Sequence, residues 1–280
     1  MVPPFTLHDG LAVYRLGAGE PLLLFPYPHG STLRSMAEDK LAALLAGLDR
    51  QVITFDPPGA YRSTRAMRCD IAEMLSCAEE ALEVCSVKPP VDVVGHSMGS
   101  LCAQALAIER PELVRRLVLV GSLSGWRAVM RWSTPHNWSP WRDVQWWQCI
   151  GLGMRQMLCL GNLAVHKRLD NLIELASFVD QSHVELWTID RGDSKRPPPP
   201  RSAWLRAVRQ VDYASRLGDV QAPTLLLVGR HDPQTPLACS QELAAGIPDA
   251  SLLIFEHSGH SPFIEEPARF RQELATFLAK

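Results

Sequence analysis

Short apolar runs separated by helix-length segments set the tightest limit on how this chain folds. The runs lie at residues 11–16, 22–25, 51–55, 91–94, 117–120, 224–228 and 251–255, and Leu, Ile and Val dominate them. Several are continuous rather than alternating, as strands buried on both faces read. Helical patterns at 33–48, 69–85, 98–109, 238–246 and 268–279 lie between and after them. Strand, helix, strand in this order implies an α/β fold: a mostly parallel, doubly wound sheet with helices on both faces. At 280 residues the chain buries enough apolar surface to fold without disulfides or a metal.

The rhythm breaks over residues 126–216. All eight tryptophans fall in this stretch, together with the run Pro197-Pro198-Pro199-Pro200, which suits a stiff linker and not a helix interior. The stretch carries 13 Lys or Arg against 8 Asp or Glu in a chain of net charge −2, an excess that reads as a solvated face. The expected organisation is a core of residues 1–125 and 217–280, with 126–216 inserted as a helical, Trp-rich cap over one end of the sheet. Some of the tryptophans form the core of that insertion. Others, Trp126 among them, are candidates to line a hydrophobic pocket.

A net charge of −2 favours neither nucleic acid nor an anionic membrane as partner. The partner expected is a small-molecule substrate, with the protein a monomer or a homodimer. No run of 18 apolar residues marks a membrane span, and Met1-Val2-Pro3-Pro4-Phe5 does not read as a signal peptide. Seven cysteines, odd in number and widely spaced, read as reduced thiols in a cytoplasmic protein.

The chemistry centres on Gly95-His96-Ser97-Met98-Gly99, which follows the apolar run 91–94 and opens a helix. A sharp strand-to-helix turn exposes a serine Oγ, and glycines on either side avoid side-chain collisions across the turn. The helix N-terminus then aims free N–H groups at developing negative charge, with the Met98 N–H as first oxyanion donor. Ser97 needs a base, and the base needs a carboxylate. Asp232 follows the run 224–228 and His260 follows 251–255, so both sit beyond the C-terminal ends of strands, as Ser97 does. His257 is the alternative base and Glu256 the alternative acid. His96 reads as an elbow residue, and His231 as a neighbour of the acid. No His pattern indicates a metal, and no cofactor is required.

The segments GHSMG, GRHDPQTP and HSGHSPFIEEP, in this order and spacing, resemble the motifs of the α/β-hydrolase fold superfamily. The resemblance implies a serine hydrolase with Ser97, Asp232 and His260 as triad and a variable helical cap at the insertion. Members of that family follow the third strand with His-Gly and a second oxyanion donor. Here Pro26-Tyr27-Pro28-His29-Gly30-Ser31 stands there. One register gives the donor as the Tyr27 N–H and the other as Ser31; Tyr27 is preferred. Asp56-Pro57-Pro58-Gly59-Ala60-Tyr61-Arg62-Ser63 resembles the family's D-x-x-G-x-G-x-S turn with Tyr61 in place of the second glycine. Tyr61, Trp126 and Phe263 are the substrate-side candidates.

The expected reaction is hydrolysis of a small to medium hydrophobic carboxylic ester, or of a thioester or activated amide, through an acyl-enzyme on Ser97. A serine at this position argues against dehalogenase and epoxide-hydrolase relatives, which carry Asp there. Three other readings stay open. One is a peptidase similar to proline iminopeptidases, with Glu174 or Glu185 holding a substrate amine. Another is a C–C bond hydrolase or tailoring enzyme of secondary metabolism. The third is a receptor-like binding protein on the same fold.

Overall fold

The computed structural model describes residues 4–28, 35, 38–68, 70–132, 175–180, 182–183 and 208–280. These residues build an eight-stranded sheet in the order β1-β2-β4-β3-β5-β6-β7-β8. Its first strands are β1 (Phe5–His8), β2 (Leu11–Leu16), β3 (Glu20–Leu24) and β4 (Arg50–Phe55). They are followed by β5 (Val91–His96), β6 (Val114–Val120), β7 (Thr224–Gly229) and β8 (Ala250–Phe255). β1 pairs antiparallel with β2 and β2 with β4, and every other pairing is parallel. The sequence reading passed over β1. All four of its residues are exposed at the sheet edge, so no apolar run marks it.

The helices are α1 (Lys40–Ala46), α2 (Ile71–Val84), α3 (Met98–Glu109), α4 (Trp126–Trp132), α5 (Leu237–Gly246), α6 (Pro262–Glu265) and α7 (Pro267–Leu278). Strand periodicity distributes them over two faces. Leu23, Phe25, Val93, Leu117 and Leu119 pack with Met74, Leu82, Cys102 and Leu106 of α2 and α3. Their neighbours Leu22, Leu24, Val94, Val118 and Val120 pack with Leu41 and Leu45 of α1 and Phe270 and Leu274 of α7. Both faces are therefore covered, and the doubly wound sheet expected from the sequence is present.

Caps set several helix boundaries. Asp39 accepts from the Leu41 N–H at 2.8 Å and starts α1 at Lys40, later than the 33–48 pattern suggested. Asp70 accepts from the Glu73 N–H at 2.8 Å, and the Glu73 carboxylate accepts from the Arg68 N–H at 2.8 Å. Two prolines at first-turn positions, Pro262 and Pro267, start α6 and α7 separately where a single terminal helix was expected.

Of the expected insertion, 126–132, 175–180, 182–183 and 208–216 are described. Trp138, Trp141, Trp146, Trp147, Trp187 and Trp204 lie outside the described residues, as do Ser31, Glu174 and Glu185. Among the described residues no helix is long and apolar enough to cross a membrane.

The end of the sheet opposite Ser97 is locked by Asp92 on β5. Its side chain is fully buried and takes hydrogen bonds from Arg115 at 2.9 Å, Arg50 at 3.1 Å and Arg116 at 3.3 Å. Removing one member of a buried ion network leaves uncompensated charge. Asp92→Ala is expected to lower unfolding free energy by roughly 3–5 kcal/mol in urea denaturation, with activity retained in whatever fraction stays folded.

Candidate active site

Ser97 occupies the turn between β5 and α3 with φ 53° and ψ −125°, a conformation L-residues rarely adopt. The flanking glycines have specific causes. A Cβ at Gly95 would lie 2.5 Å from the Gly99 carbonyl oxygen and 2.6 Å from Ser100 Cα. A Cβ at Gly99 would lie 2.8 Å from the Phe25 carbonyl oxygen and 3.1 Å from that of Pro26. The loop after β3 thus passes directly against the start of α3 at Phe25 and Pro26, the residues just before Tyr27. Three bonds fix the elbow. The Ser97 N–H donates to the Val120 carbonyl at 2.9 Å, and Ser100 Oγ donates to the Ser97 carbonyl and lies 2.8 Å from Ser122 Oγ.

His260 and Asp232 meet from the loops after β8 and β7. The His260 Nδ1 lies 2.8 Å from Asp232 Oδ2, and both side chains are at most 5% exposed. Asp232 is saturated. Its Oδ1 accepts from the Gln234 N–H at 2.8 Å and the Thr235 N–H at 2.9 Å, and its Oδ2 accepts from Thr235 Oγ1 at 2.7 Å. Burial alone would push this carboxyl up. The charge of His260, with hydrogen bonds from His260 and Thr235, outweighs burial and holds it below the ordinary range. With Nδ1–H donated to a carboxylate, the lone pair of His260 resides on Nε2. That atom is buried and has no hydrogen-bond partner among the described residues.

His96 is a spacer between the two loops. Burial pushes its pKa down to about 3, so it is neutral at working pH. Its Nε2 lies 2.9 Å from the His260 carbonyl oxygen, an acceptor, so the proton sits on Nε2. Nδ1 then accepts from the Tyr27 hydroxyl at 2.5 Å. One imidazole therefore ties the loop after β3 to the loop carrying His260. The ring centroids of His96 and His260 are 4.8 Å apart.

The substrate-side candidates separate. Trp126 and Met98 are half-buried and pack on one cluster with Leu101, Leu123, Ala128, Val208 and Cys239, beside the elbow. Phe263 is only 3% exposed and sets its edge against His96 at 5.0 Å, so it belongs to the packing under the histidines. Tyr61 is half-buried on the turn after β4. The alternatives His257, Glu256 and His231 are all exposed, and Glu256 pairs with Arg230. Among the described residues no group of three or more His, Cys, Asp or Glu side chains is placed to hold a metal ion.

The model of the alpha/beta hydrolase fold family matches residues 27–267. The chain belongs to that family. A protein named carbamate hydrolase RutD from Variovorax paradoxus is 30% identical to it over 94% of this chain and 92% of its own length. A pimeloyl-acyl-carrier-protein methyl ester esterase from Nitrosomonas europaea is 30% identical over 70% of this chain and 75% of its own. An alpha/beta fold family hydrolase from Bacillus anthracis superposes with a TM-score of 0.76 at 22% identity, covering 96% of each chain. The protein is thus an enzyme of the alpha/beta hydrolase family.

Within that family frame the departure at Tyr61 has a backbone reading. Tyr61 sits at φ 47°, the left-handed conformation for which the family turn uses glycine. Asp56 and Ser63 of the same turn are structural. Asp56 accepts from the Tyr14 hydroxyl at 2.7 Å, and Ser63 Oγ accepts from the Ala12 N–H at 2.9 Å.

Sequence reading missed four residues beside His260. Gly121, at φ 52°, lies so close to His260 that a Cβ there would sit 3.1 Å from Nδ1 and Cε1. Thr235 holds Asp232, and its spacing in Asp232-Pro233-Gln234-Thr235 is an Asx-turn signal available in the sequence. Ser177 and Glu265 grip the loop before His260 through main-chain bonds, and no sequence pattern announces such bonds.

Proposed function

We propose that this protein is a serine hydrolase that cleaves small to medium hydrophobic carboxylic esters, or a thioester or activated amide, through an acyl-enzyme on Ser97. The observation that carries the reading is the state of His260. Its Nδ1 is held by a buried carboxylate, while its Nε2 is buried and has no hydrogen-bond partner among the described residues, and the ring lies against His96, the residue before Ser97. A desolvated lone pair on Nε2 is suited to take a hydroxyl proton.

The steps follow. Ser97 Oγ attacks the acyl carbon and its proton passes to His260 Nε2. The carbonyl oxygen becomes an oxyanion, for which the main-chain N–H groups of Met98 and Tyr27 are the proposed donors. One such donor is worth roughly 3–4 kcal/mol in the transition state. The C–O bond then breaks and the leaving alkoxide takes the proton from Nε2. Water, deprotonated by His260, attacks the acyl-enzyme, and the acid leaves as Ser97 regains its proton. Asp232 fixes the tautomer and stabilises the imidazolium throughout.

Residues 126–216 are read as the cap over this site, and 1–125 with 217–280 as the core. Trp126 is proposed as a wall of the acyl pocket, since it shares an apolar cluster with Met98. The named activities of the two relatives, on a carbamate and on a methyl ester, support an acyl carbon bearing a heteroatom leaving group. The test is p-nitrophenyl ester hydrolysis over increasing acyl length. A burst of one p-nitrophenol per protein followed by steady turnover, with an optimum at short or medium chains, is the expected result. Absence of turnover on every ester, with turnover on a carbamate, would move the substrate class and leave the nucleophile standing.

A further inference from the structure

The loop that carries His260 is held by carboxylates to a degree that sheet pairing does not explain. Glu266 accepts from the His257 N–H at 3.0 Å and from Ser258 Oγ at 2.7 Å. Glu265, on the short helix α6, accepts from the Gly259 N–H at 2.6 Å through Oε2 and from the Val179 N–H at 2.7 Å through Oε1. Gly259 immediately precedes His260, and Val179 lies in the insertion. Glu265 therefore bridges two parts of the chain 80 residues apart in sequence (Val179 to Gly259). The same insertion segment reaches both triad loops directly. The Ser177 carbonyl accepts from the His260 N–H at 2.8 Å, and Ser177 Oγ accepts from Gln234 Nε2 at 2.7 Å. The fit leaves no slack, because a Cβ at Gly259 would lie 2.1 Å from the Ser177 carbonyl oxygen. Phe178 anchors the segment in the core at 2% exposure.

We propose that the ionised carboxylate of Glu265 is a positioning residue for His260, clasping the base loop to the 175–180 segment of the insertion. The inference rests on the reading of Ser97, Asp232 and His260 as a hydrolytic triad. The bonds from Gly259 and Val179 are charge-assisted only while the carboxylate is ionised. A protonated carboxyl turns one of its oxygens into a donor and sets it against an N–H.

The clasp is also held under electrostatic tension. Burial is the largest influence on Glu265; it outweighs the N–H donors of Gly259, Val179 and Asp180, and with the Asp232 charge pushes the carboxyl up to about 7. Among the described residues, the titratable and charged side chains on the elements around it are Arg230, His231 and Asp232 on the acid loop, Glu256, His257 and His260 on the base loop, Asp180 and His183 on the segment and Glu266 beside it. For a carboxyl raised in this way the folded state prefers the proton. Its contribution to stability is present at acid pH and is lost as pH rises through about 7. Function and stability therefore pull in opposite directions at this residue, which a purely structural acid would not show.

The test is the rate at which a fluorophosphonate labels Ser97, measured from pH 5.5 to 8.5 in the native protein, Glu265→Gln and Ser97→Ala. Gln keeps the shape of the protonated acid. The expected result is a roughly tenfold slower labelling of Glu265→Gln at pH 8, shrinking to parity near pH 5.5, with no loss of thermal stability at pH 8. Val179→Pro, which deletes the segment's N–H at an exposed position, is expected to slow labelling at pH 8 with Glu265 in place; it decides the matter if Glu265→Gln does not fold. Equal rates for native and variant, or a deficit that is the same at every pH, overturn the inference and leave the triad intact. A native Ser97 no more reactive than Ser97→Ala overturns the triad reading itself, and the role of Glu265 with it.

Discussion

Ser97→Ala is expected to abolish turnover of p-nitrophenyl esters, by a factor on the order of 10⁴–10⁶ in kcat, and to leave the fold intact. The size follows from what the substitution removes. Without Oγ no acyl-enzyme forms, and only binding and the oxyanion donors remain to help water attack directly. The fold survives because alanine keeps the Cβ and changes neither the main-chain bond from Ser97 to Val120 nor the one from Ser100 to Ser97. Ser97→Gly separates chemistry from strain. At φ 53° and ψ −125° every residue with a Cβ is strained, so glycine relieves what serine and alanine both carry. It is expected to be equally inactive but about 1 kcal/mol more stable than either. Stopped-flow release of p-nitrophenol with equilibrium urea denaturation on all three proteins checks both halves. A burst surviving in Ser97→Ala would assign the nucleophile elsewhere.

The fold was legible because its central strands are buried on both sides. Continuous runs such as Leu22-Leu23-Leu24 and Leu225-Leu226-Leu227 have few other uses, and they place β3 and β7 within two residues. β1 was illegible for the opposite reason: an exposed edge strand needs no apolar pattern. The candidate site was legible where chemistry demands a residue type. Ser97, Asp232 and His260 follow strand ends, and the glycines around Ser97 mark a turn that tolerates no Cβ. The supporting residues carry no such mark. Glu265, Ser177 and Gly121 act through main-chain bonds and close approach, which appear only when distant segments are folded together. Phe263 shows the same limit from the other side. Three residues past His260 it reads as a pocket residue, yet its position on α6 turns it under His96 and into the core.

Asp232→Asn is expected to lower kcat on the order of 10⁴-fold with little change in KM, because every acceptor position of this carboxylate is already used. Oδ1 faces two main-chain N–H groups, of Gln234 and Thr235, and Oδ2 faces Thr235 Oγ1 and His260 Nδ1. An amide NH₂ must point at one of these pairs. Toward the main chain it meets two donors that cannot turn away. The favoured orientation therefore points it at His260, where it donates to Nδ1 and moves the imidazole proton to Nε2. The base then presents a proton to Ser97 in place of a lone pair, and attack fails for want of an acceptor. The signature is partial recovery at high pH, where hydroxide takes the Ser97 proton that Nε2–H cannot, and a rate that the native protein reaches near neutrality is approached only in alkali. Stability changes in a matching way. The native carboxyl is held below its ordinary range, so its contribution is present above about pH 4 and is lost as pH falls through the folded value. Asn has no such proton, so the acid limb of the Tm profile should flatten in the variant. A variant with the native pH–rate profile would mean that His260 takes its tautomer from elsewhere, with Thr235 Oγ1, 3.5 Å from Nδ1, as the remaining partner.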